Sequence, residues 1–268
     1  MAILDYQAIK FDGTSSENRL DALTVEEGLQ VKVNGEPLMI TMRSPGNDAE
    51  LVRGLLHSED ILPTTNEDVE IIVESKNKQG VVPVVNVNIP EDKLGDGYKN
   101  SRSFLSVSSC GICGQTELQE IKGELEKKGK FNPLDLKHMF ELMDGKQKTF
   151  RKSGGSHAAA AFDEKGEMIC VMEDIGRHNA VDKVIGTLLL KKQLNRAFAI
   201  TVSGRISYEI VMKAFRAKIP VLAAVSAPSS LAVDYSKELG ITLFGFCRGE
   251  NATCYSNMHR VNPIDQIT

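Results

Sequence analysis

The sequence predicts an α/β protein in which a smaller α+β unit precedes a helix-covered, largely parallel sheet. Strand-like and helix-like apolar patterns alternate over roughly the last hundred residues, and each crossover is long enough to join parallel strands. The first region has a different pattern, with a hairpin signal and one helix, and it ends in a polar, glycine-containing stretch. We therefore expect two units, a small α+β subdomain at 1–98 and an α/β domain at 99–268.

The first region is predicted to contain a hairpin, a helix and two further strands. Alternating apolar residues flank Asn34-Gly35, which is the strongest short-range signal for a β-hairpin. The helix is expected over "NDAELVRGLLHSE", with Asn47 or Asp48 as its cap, and the strands over "VEIIVES" and "VVPVVNVNI". Nothing in this region predicts chemistry.

The second region is predicted to begin with two helices, "TELQEIKGELEKKG" and "LDLKHMFELMDG", and a hairpin that turns at 164–166. Strands and helices then alternate. The strands are expected at "MICVMED", "AFAITVS", "PVLAAVS" and "ITLFGF", and the helices at "HNAVDKVIGTLLLKKQ", "ISYEIVMKAFRAK" and "SSLAVDYSKELG". The hairpin is expected to add an antiparallel edge to the sheet.

Composition limits the class of protein. The 268 residues carry a net charge of −4, which argues against a general nucleic-acid coat, so we expect no nucleic-acid partner. The longest apolar stretches, such as "PVLAAVSA", are far shorter than the roughly 20 residues of a membrane span. The first residues lack the pattern of a secretion signal, and five cysteines, an odd number, fit a reducing compartment. These observations predict a cytoplasmic protein with free thiols.

Four segments follow the carboxyl ends of the predicted strands: "EDIGRHN", "SGRIS", "SAPSS" and "CRGEN". Ligands bind at this edge of open parallel sheets. The segments combine arginines with small residues that let a ligand approach the backbone, namely Arg177, Arg205, Arg248, Ser203, Gly204, Ser226, Ser229, Ser230 and Gly249. Guanidinium groups near helix starts predict a site for a phosphate or diphosphate. The alternative is that the serines and glycines only cap helices and form turns, with the arginines in solvent.

Cys110 and Cys113 lie in the glycine-rich stretch "SVSSCGICGQTEL". A zinc site needs four ligands, and this pair supplies half of them with no second CxxC in the chain, so we expect no metal. Residues 57–59 satisfy the H-x-E string of zinc deaminases, but they belong to the other region. The helix predicted after the pair would lower the pKa of a thiol, which suits a dithiol redox centre or a persulfide carrier. The flanking glycines favour the carrier.

Several longer motifs carry a resemblance to a known family. They are "VNGEPLMITMRSPG", "SSCGICG", "SGGSHAAAAF", "EDIGRHNAVDKVIG", "TVSGRISYEIVMKA" and "PVLAAVSAPSSLAVDYSKELGITLFGFCRGE". From about residue 25 to residue 260, the chain resembles the formate dehydrogenase accessory sulfurtransferase family, FdhD. The combination of CGxCG with EDxGRHNAxDK is hard to produce by chance.

The resemblance implies both a function and a fold. Members of this family are cytoplasmic homodimers that accept sulfur as a persulfide from a cysteine desulfurase. They pass the sulfur to the bis-molybdopterin guanine dinucleotide form of the molybdenum cofactor before that cofactor enters formate dehydrogenase. The main domain is implied to resemble cytidine deaminase without its zinc chemistry. We therefore expect no structural metal and no membrane partner, and we expect GDP to mimic the bound cofactor.

The resemblance also assigns residues by position. Cys110 matches the persulfide-bearing cysteine of the family, and Cys113 matches the second cysteine of the motif. The stretch assigned to cofactor binding corresponds to Phe246, Cys247, Arg248, Gly249, Glu250 and Asn251. Other members often differ at Cys247, so no conserved role is expected for its thiol. Together with the sheet-edge segments, the expected cofactor site also includes Arg177, His178, Ser203, Gly204, Arg205, Ser226 and Ser229.

A few titratable residues have two interpretations. Glu173 and Asp174 end a predicted strand at the same edge, where a general acid or base would be placed. Such carboxylates more often pair with an arginine or cap the next helix. His157 lies in a motif and is a candidate site residue, as is His178, whereas His57 and His138 are expected to be packing or surface residues.

The sequence is also compatible with two other functions. One is a chaperone that binds the cofactor for formate dehydrogenase while its thiols transfer no sulfur. The other is a dithiol oxidoreductase. The linker before the cysteine motif is basic at Lys99 and Arg102 and is a candidate docking segment for the desulfurase.

Overall fold

The computed structural model describes residues 2–77, 80–101, 106–108, 123–125 and 129–263. We number the strands and helices of these ranges in chain order. The strands are β1 Ile3–Asp12, β2 Ser15–Thr24, β3 Glu27–Val33, β4 Glu36–Arg43, β5 Glu70–Val73, β6 Val84–Asn88, β7 Ser106–Ser108, β8 His157–Phe162, β9 Met168–Asp174, β10 Ala199–Val202, β11 Val221–Ala224, β12 Thr242–Arg248 and β13 Asn251–Ser256. The helices are α1 Asp48–Ser58, α2 Asp96–Ser101, α3 Asp135–Asp144, α4 Lys148–Ser153, α5 Arg177–Leu190, α6 Tyr208–Arg216 and α7 Ser230–Glu238.

The first region builds most of a five-stranded sheet in the order β5-β6-β3-β4-β7. β3 and β4 form the predicted hairpin, and its turn residues Asn34 and Gly35 have positive φ of 53° and 85°, as a tight two-residue turn requires. Leu29, Val31 and Val33 alternate toward one face of β3 and are buried in a cluster with residues of α1. The hairpin, the helix and the two further strands predicted for this region are confirmed.

The second sheet has six strands in the order β13-β12-β11-β10-β8-β9. β10, β11 and β12 are parallel, β8 and β9 form the predicted hairpin, and β13 runs antiparallel along β12. Because β8 is antiparallel to both of its neighbours, the carboxyl ends of β9, β10, β11 and β12 all reach the same edge. The predicted mixed α/β fold is confirmed, and its closer likeness to cytidine deaminase stays a prediction.

Helix α5 lies between the two sheets. It packs on β8 and β9 on one side and on α1 on the other. Residues 179–189 are all buried, as expected for a helix that is covered all round. The division of the chain at residue 98 stays a prediction. β7, which follows that point in the sequence, belongs to the sheet of the first region.

Some local expectations differ from the structure or fall outside it. α1 begins at Asp48, and Asn47 is its N-cap in the left-handed region, with no capping hydrogen bond from the side chain. The helix expected over "TELQEIKGELEKKG" lies mostly outside the described residues, and residues 123–125 are not helical. β1, β2 and β13 were not predicted. Within the described ranges, no helix is long and apolar enough to cross a membrane.

Candidate functional site

The edge of the six-stranded sheet carries the four loops that the sequence singled out. Backbone hydrogen bonds join neighbouring loops: Ile206 N donates to Ala227 O at 3.3 Å, and Ser229 N donates to Ile206 O at 2.9 Å. Phe246 N donates to Ser226 O at 3.2 Å and so joins the end of β12 to the loop after β11. The structure thus places these candidate segments side by side along one edge.

Arg177 occupies an enclosed position at this edge, as the first residue of α5. Its side chain passes close to Gly204, where an added Cβ atom would lie 3.2 Å from Arg177 Cδ. The Nε atom is buried and has no hydrogen-bond partner among the described residues. An unpartnered buried donor on a charged group costs free energy, so Nε is a candidate donor to a bound anion.

His157 lies at the start of β8, next to Arg177. Its Nδ1 atom is 3.3 Å from Ser203 Oγ, which also accepts a hydrogen bond from Ala158 N at 2.9 Å. Burial lowers the pKa of His157, and the charge of Arg177 lowers it further, while Asp174 acts in the opposite direction. The imidazole is therefore neutral at pH 7 and orients the Ser203 hydroxyl rather than adding charge.

His178 is the second residue of α5. Its Nε2 atom lies 3.0 Å from Ser207 Oγ. Burial lowers the pKa of His178 to about 3, and the charges of Lys213 and Arg177 act in the same direction. This ring is also neutral at pH 7, which leaves the Arg177 guanidinium as the charged group at the start of α5.

A cavity of about 200 Å³ opens beside Arg177, between the start of α5 and the five-stranded sheet. The lining combines polar and charged groups with methionine, leucine and isoleucine side chains. Its lining residues are Glu26, Met39, Met42, Leu55, Glu59, His157, Ile175, Gly176, Arg177, His178, Asn179, Asp182 and Lys213. Arg177 therefore borders both the sheet edge and this cavity.

The exposed end of the edge lies at 246–251. Phe246 has a φ of 54°, which is unusual for a bulky residue, and its side chain is 46% exposed. Arg248 is exposed, and its Nε donates to Val225 O at 3.2 Å. Gly249 follows with a φ of 57°. The end of β12 therefore presents an aromatic ring and a guanidinium group to solvent.

The remaining candidates have varied surroundings. Cys247 is only 4% exposed and lies in a core cluster, where burial raises the pKa of its thiol to about 12, so it contributes no group to the edge. Ser229 is the N-cap of α7 and accepts a hydrogen bond from Ala232 N at 3.2 Å. Glu250 forms an ion pair with Lys137. Ser203, Arg205 and Ser226 are exposed or half-buried on the loops, and Asn251 is exposed at the start of β13.

The two carboxylates at the end of β9 have structural partners. Asp174 Oδ2 lies 2.7 Å from Lys183 Nζ and accepts a hydrogen bond from Ser44 N at 3.2 Å. Glu173 accepts hydrogen bonds from two backbone amides at the start of α4, at 2.9 and 2.8 Å. Asp174 thus ties the first region to α5, and Glu173 caps α4, so the geometry favours pairing and capping over acid–base chemistry.

Cys110 and Cys113 lie outside the described residues, as does Arg102. Lys99 lies on α2, is exposed and forms an ion pair with Asp96. In the part of the chain that the structure describes, no group of three His, Cys, Asp or Glu side chains could hold a metal ion.

Sequence reasoning missed three polar residues that line the cavity, Asn179, Asp182 and Lys213. Lys213 Nζ lies 2.8 Å from both carboxylate oxygens of Asp182, and Asn179 Nδ2 donates to Met42 O at 2.7 Å. Asn179 and Asp182 fall inside the motif "EDIGRHNAVDKVIG". Their place in this motif was the one sequence feature that could have identified them as site residues. Lys213 follows Asp182 by 31 residues and lies on another helix, so no local pattern relates the two.

A model of the FdhD/NarQ family matches residues 24–262 of this chain. The chain belongs to the FdhD/NarQ family. Both large sheets lie within the matched range, whereas β1 and all but the last residue of β2 precede it.

Curated proteins similar to this FdhD/NarQ chain are named sulfur carrier protein FdhD. The protein of that name from Streptomyces avermitilis is 40% identical over 266 residues, which cover 93% of this chain and 92% of the relative. The one from Mycobacterium tuberculosis is 40% identical over 255 residues, covering 91% and 92%. The one from Sulfolobus acidocaldarius is 40% identical over 243 residues, covering 90% and 92%.

Among solved structures, this FdhD/NarQ chain is similar to the following one. It is a crystal structure of a protein from Desulfotalea psychrophila that is described as a formate dehydrogenase accessory protein. The TM-score is 0.75 at 19% identity, and the match covers 98% of this chain and 100% of the other. At that identity the match establishes a shared fold.

Proposed function

We propose that this chain is a sulfur carrier that serves formate dehydrogenase. The observation that carries the proposal is family membership: relatives 40% identical over about nine-tenths of the chain are named sulfur carrier proteins. The structural neighbour is described as a formate dehydrogenase accessory protein, which supports formate dehydrogenase as the enzyme that this carrier serves. A carrier needs a nucleophile that holds sulfur and a site that holds the acceptor.

Cys110 is the sulfur-bearing residue in this proposal. Its thiolate attacks the outer sulfur of a persulfide on a cysteine desulfurase, so that one S–S bond forms while the other breaks. The desulfurase cysteine leaves as a thiolate, and the exchange consumes no oxidant. Cys113 then assists release of the sulfur from Cys110 or protects it as a partner thiol.

The three cysteines of the described part are poor alternatives to Cys110. Burial raises the pKa of Cys170 to about 11 and that of Cys247 to about 12, and it raises the pKa of Cys254 as well. Because the thiolate is the nucleophile, a raised pKa leaves little reactive sulfur at neutral pH. This supports placing the sulfur chemistry on the CxxC pair.

The acceptor of the sulfur is proposed to be the molybdenum cofactor in its bis-molybdopterin guanine dinucleotide form, bound as a substrate. This molecule has two diphosphates and two guanines and so suits a long edge with several anion-binding positions. The unpartnered Nε of Arg177 fits one phosphate, while Arg205 and Arg248 supply exposed guanidinium groups along the same edge. The exposed ring of Phe246 offers a face on which guanine can stack.

The proposal includes a cellular setting and partners. The chain acts in the cytoplasm, receives sulfur from a cysteine desulfurase and delivers the modified cofactor to formate dehydrogenase. It acts as a homodimer. GDP is the probe for the cofactor site because it carries one guanine and one diphosphate.

Intact-protein mass spectrometry after incubation with a cysteine desulfurase and cysteine tests sulfur transfer. The native chain is expected to gain about 32 Da, one sulfur, in a form that a thiol reductant removes. Cys110→Ala is expected to abolish the gain. Cys254→Ala is the matched control and is expected to keep it, because burial raises the pKa of that thiol. Cys113→Ala shows whether the second thiol is needed for loading.

Two outcomes would replace the carrier with another function. A native chain that binds GDP but never gains sulfur would be a cofactor chaperone. Its function would then depend on cofactor binding at the sheet edge and not on the two cysteines. A loss of about 2 Da without any gain would mark a disulfide between the two cysteines and a dithiol oxidoreductase.

A further inference from the structure

The cavity beside Arg177 has room for a flat heterocycle. Its volume of about 200 Å³ exceeds the roughly 150 Å³ of a cavity that accommodates benzene. Met39, Met42 and Leu55 are among its apolar lining residues, and methionine side chains make favourable sulfur contacts with aromatic rings. Ligand sites combine an apolar lining of this kind with a few polar groups that fix the orientation of the ligand. The polar groups of the lining therefore decide which ring the cavity accepts.

The described lining of the cavity includes three carboxylates, which differ in their partners. Lys213 Nζ lies 2.8 Å from both carboxylate oxygens of Asp182, and Ser58 Oγ donates to the same carboxylate at 2.8 Å. Glu26 is exposed to solvent. Glu59 is half-buried, and its Oε1 lies 3.7 Å from Lys213 Nζ, which is beyond hydrogen-bond distance. Glu59 is thus a partly enclosed carboxylate that can accept hydrogen bonds from a ligand.

The lining also contains charges of both signs. Asp182 and Lys213 balance each other as a buried ion pair. The carboxylate of Glu59 and the guanidinium of Arg177 then remain for a ligand, and Arg177 offers a buried Nε donor that no described residue uses. A molecule that suits this lining carries hydrogen-bond donors for a carboxylate and an anionic group for a guanidinium.

A pterin that carries a phosphate has both features. One edge of its aminopyrimidinone ring has an N–H next to an amino group, and these two donors match the two oxygens of a carboxylate. In the cofactor proposed above, a diphosphate joins the pterin part to guanosine. Arg177 borders both the sheet edge and the cavity, so a phosphate held there leaves the guanine at the edge and the pterin in the cavity.

We propose, on the basis of the proposed function, that this cavity binds the pterin part of the cofactor and that Glu59 determines its specificity. Glu59 accepts hydrogen bonds from the ring N–H and from the amino group of the pterin. Arg177 holds a phosphate, and the guanine lies at the exposed end of the edge near Phe246. Glu59 therefore recognises a part of the cofactor that GDP lacks.

Fluorescence titration with carboxypterin tests this site in the full-length chain. The probe carries the same ring edge and an anionic group for Arg177. The native chain is expected to bind it, and Glu59→Gln is expected to bind it about 10- to 100-fold more weakly, because a neutral amide accepts from only one of the two donors. Glu141→Gln, at an exposed position on α3, is the matched control and is expected to keep the native affinity.

A second probe tests whether the amino group is recognised. The corresponding carboxylumazine has a carbonyl oxygen in place of the amino group, so it presents an acceptor to the Glu59 carboxylate. It is expected to bind the native chain at least about tenfold more weakly than carboxypterin does, because a site built for a donor rejects an analogue that lacks it. Equal affinity of the two probes would overturn recognition by Glu59.

GDP binding separates the cavity from the sheet edge. Glu59→Gln is expected to bind GDP with native affinity, because the guanine and the diphosphate lie at the edge. If the native chain binds GDP but not carboxypterin, or if Glu59→Gln binds carboxypterin with native affinity, the pterin site is overturned and the proposed sulfur carrier stands. Equal weakening of GDP and carboxypterin binding, in a variant with native circular dichroism, would overturn the site in favour of guanine as the occupant of the cavity. Failure of the proposed function itself would appear as a native chain that gains no sulfur.

Discussion

Gly54 of α1 and Gly186 of α5 face each other so closely that neither position has room for a Cβ atom. A Cβ on Gly54 would lie 1.9 Å from Asp182 O, and a Cβ on Gly186 would lie 1.8 Å from Glu50 O. Both obstacles are helix backbone and cannot move aside as a side chain could. The two helices thus meet at backbone distance, and this contact holds the five-stranded sheet against the six-stranded one.

Gly54→Ala is expected to destabilise the protein. Alanine favours the helix by about 1 kcal/mol over glycine, but overpacking a tight contact costs about 1–3 kcal/mol or more, so the clash outweighs the helix preference. Urea unfolding measures the change in the free energy of unfolding. Gly28→Ala is the matched control, because the nearest atom to its Cβ is Ile40 Cγ2 at 3.7 Å. Equal stability of the two variants would contradict the close approach.

Lys213→Met tests the buried ion pair that borders the cavity. Lys213 and Asp182 are both buried, and Ser58 Oγ donates to Asp182 Oδ1 at 2.8 Å. Replacing Lys213 therefore leaves a buried carboxylate without its cation. Removing one partner of a buried pair costs about 3–5 kcal/mol. The double variant with Asp182→Leu is expected to lose less stability in urea unfolding than the single variant. Asp68→Asn, at an exposed pair with Lys192, is expected to cost less than about 1 kcal/mol.

His57 makes the stability of the protein depend on pH. Burial lowers its pKa to about 4, and the charge of Arg53 acts in the same direction. The unfolded chain therefore binds a proton below about pH 6.5 that the folded chain does not accept until about pH 4, so stability falls as the pH drops through this window.

Between pH 7 and pH 4.5, protonation of His57 in the unfolded state is expected to cost the native chain about 2–3 kcal/mol of its free energy of unfolding. The His57→Gln variant is expected to lack this loss. Urea unfolding at several pH values measures this loss. His138→Gln, at an exposed position, serves as the control and is expected to keep the native pH dependence. A His57→Gln profile parallel to the native one would refute this role of the buried imidazole.

Local signals predicted the elements whose backbone is determined by nearby residues. Asn34 and Gly35 both adopt the positive φ of a tight turn, so the hairpin followed from two adjacent residues. The antiparallel pair of β1 and β2 was missed because neither face of β1 is buried, and polar and apolar residues are mixed on both faces. The alternation that usually reveals a strand depends on a buried face, which this pair lacks.

The candidate site was predictable only in part. Parallel strands carry their carboxyl ends to one edge, so the four loops could be grouped from the order of the elements alone. The sequence could not distinguish Arg177, whose Nε is buried, from the exposed Arg205. That difference depends on the surroundings of Arg177, which include Gly204 in the loop after β10 and His157 of β8. The contact of Gly54 with Gly186 likewise depends on how two distant helices cross.

Arg177→Leu is expected to weaken GDP binding by about 10- to 100-fold in isothermal titration calorimetry. The reason is that a hydrogen bond to a charged group contributes about 1.5–3 kcal/mol, and Arg177 offers a buried donor that no described residue uses. Arg177→Lys keeps the charge but lacks Nε, so it is expected to recover only part of the affinity. Arg151→Leu is the control, because that arginine is exposed on α4. Native affinity in a variant with Arg177, Arg205 and Arg248 all changed to leucine would show that this edge does not bind the nucleotide.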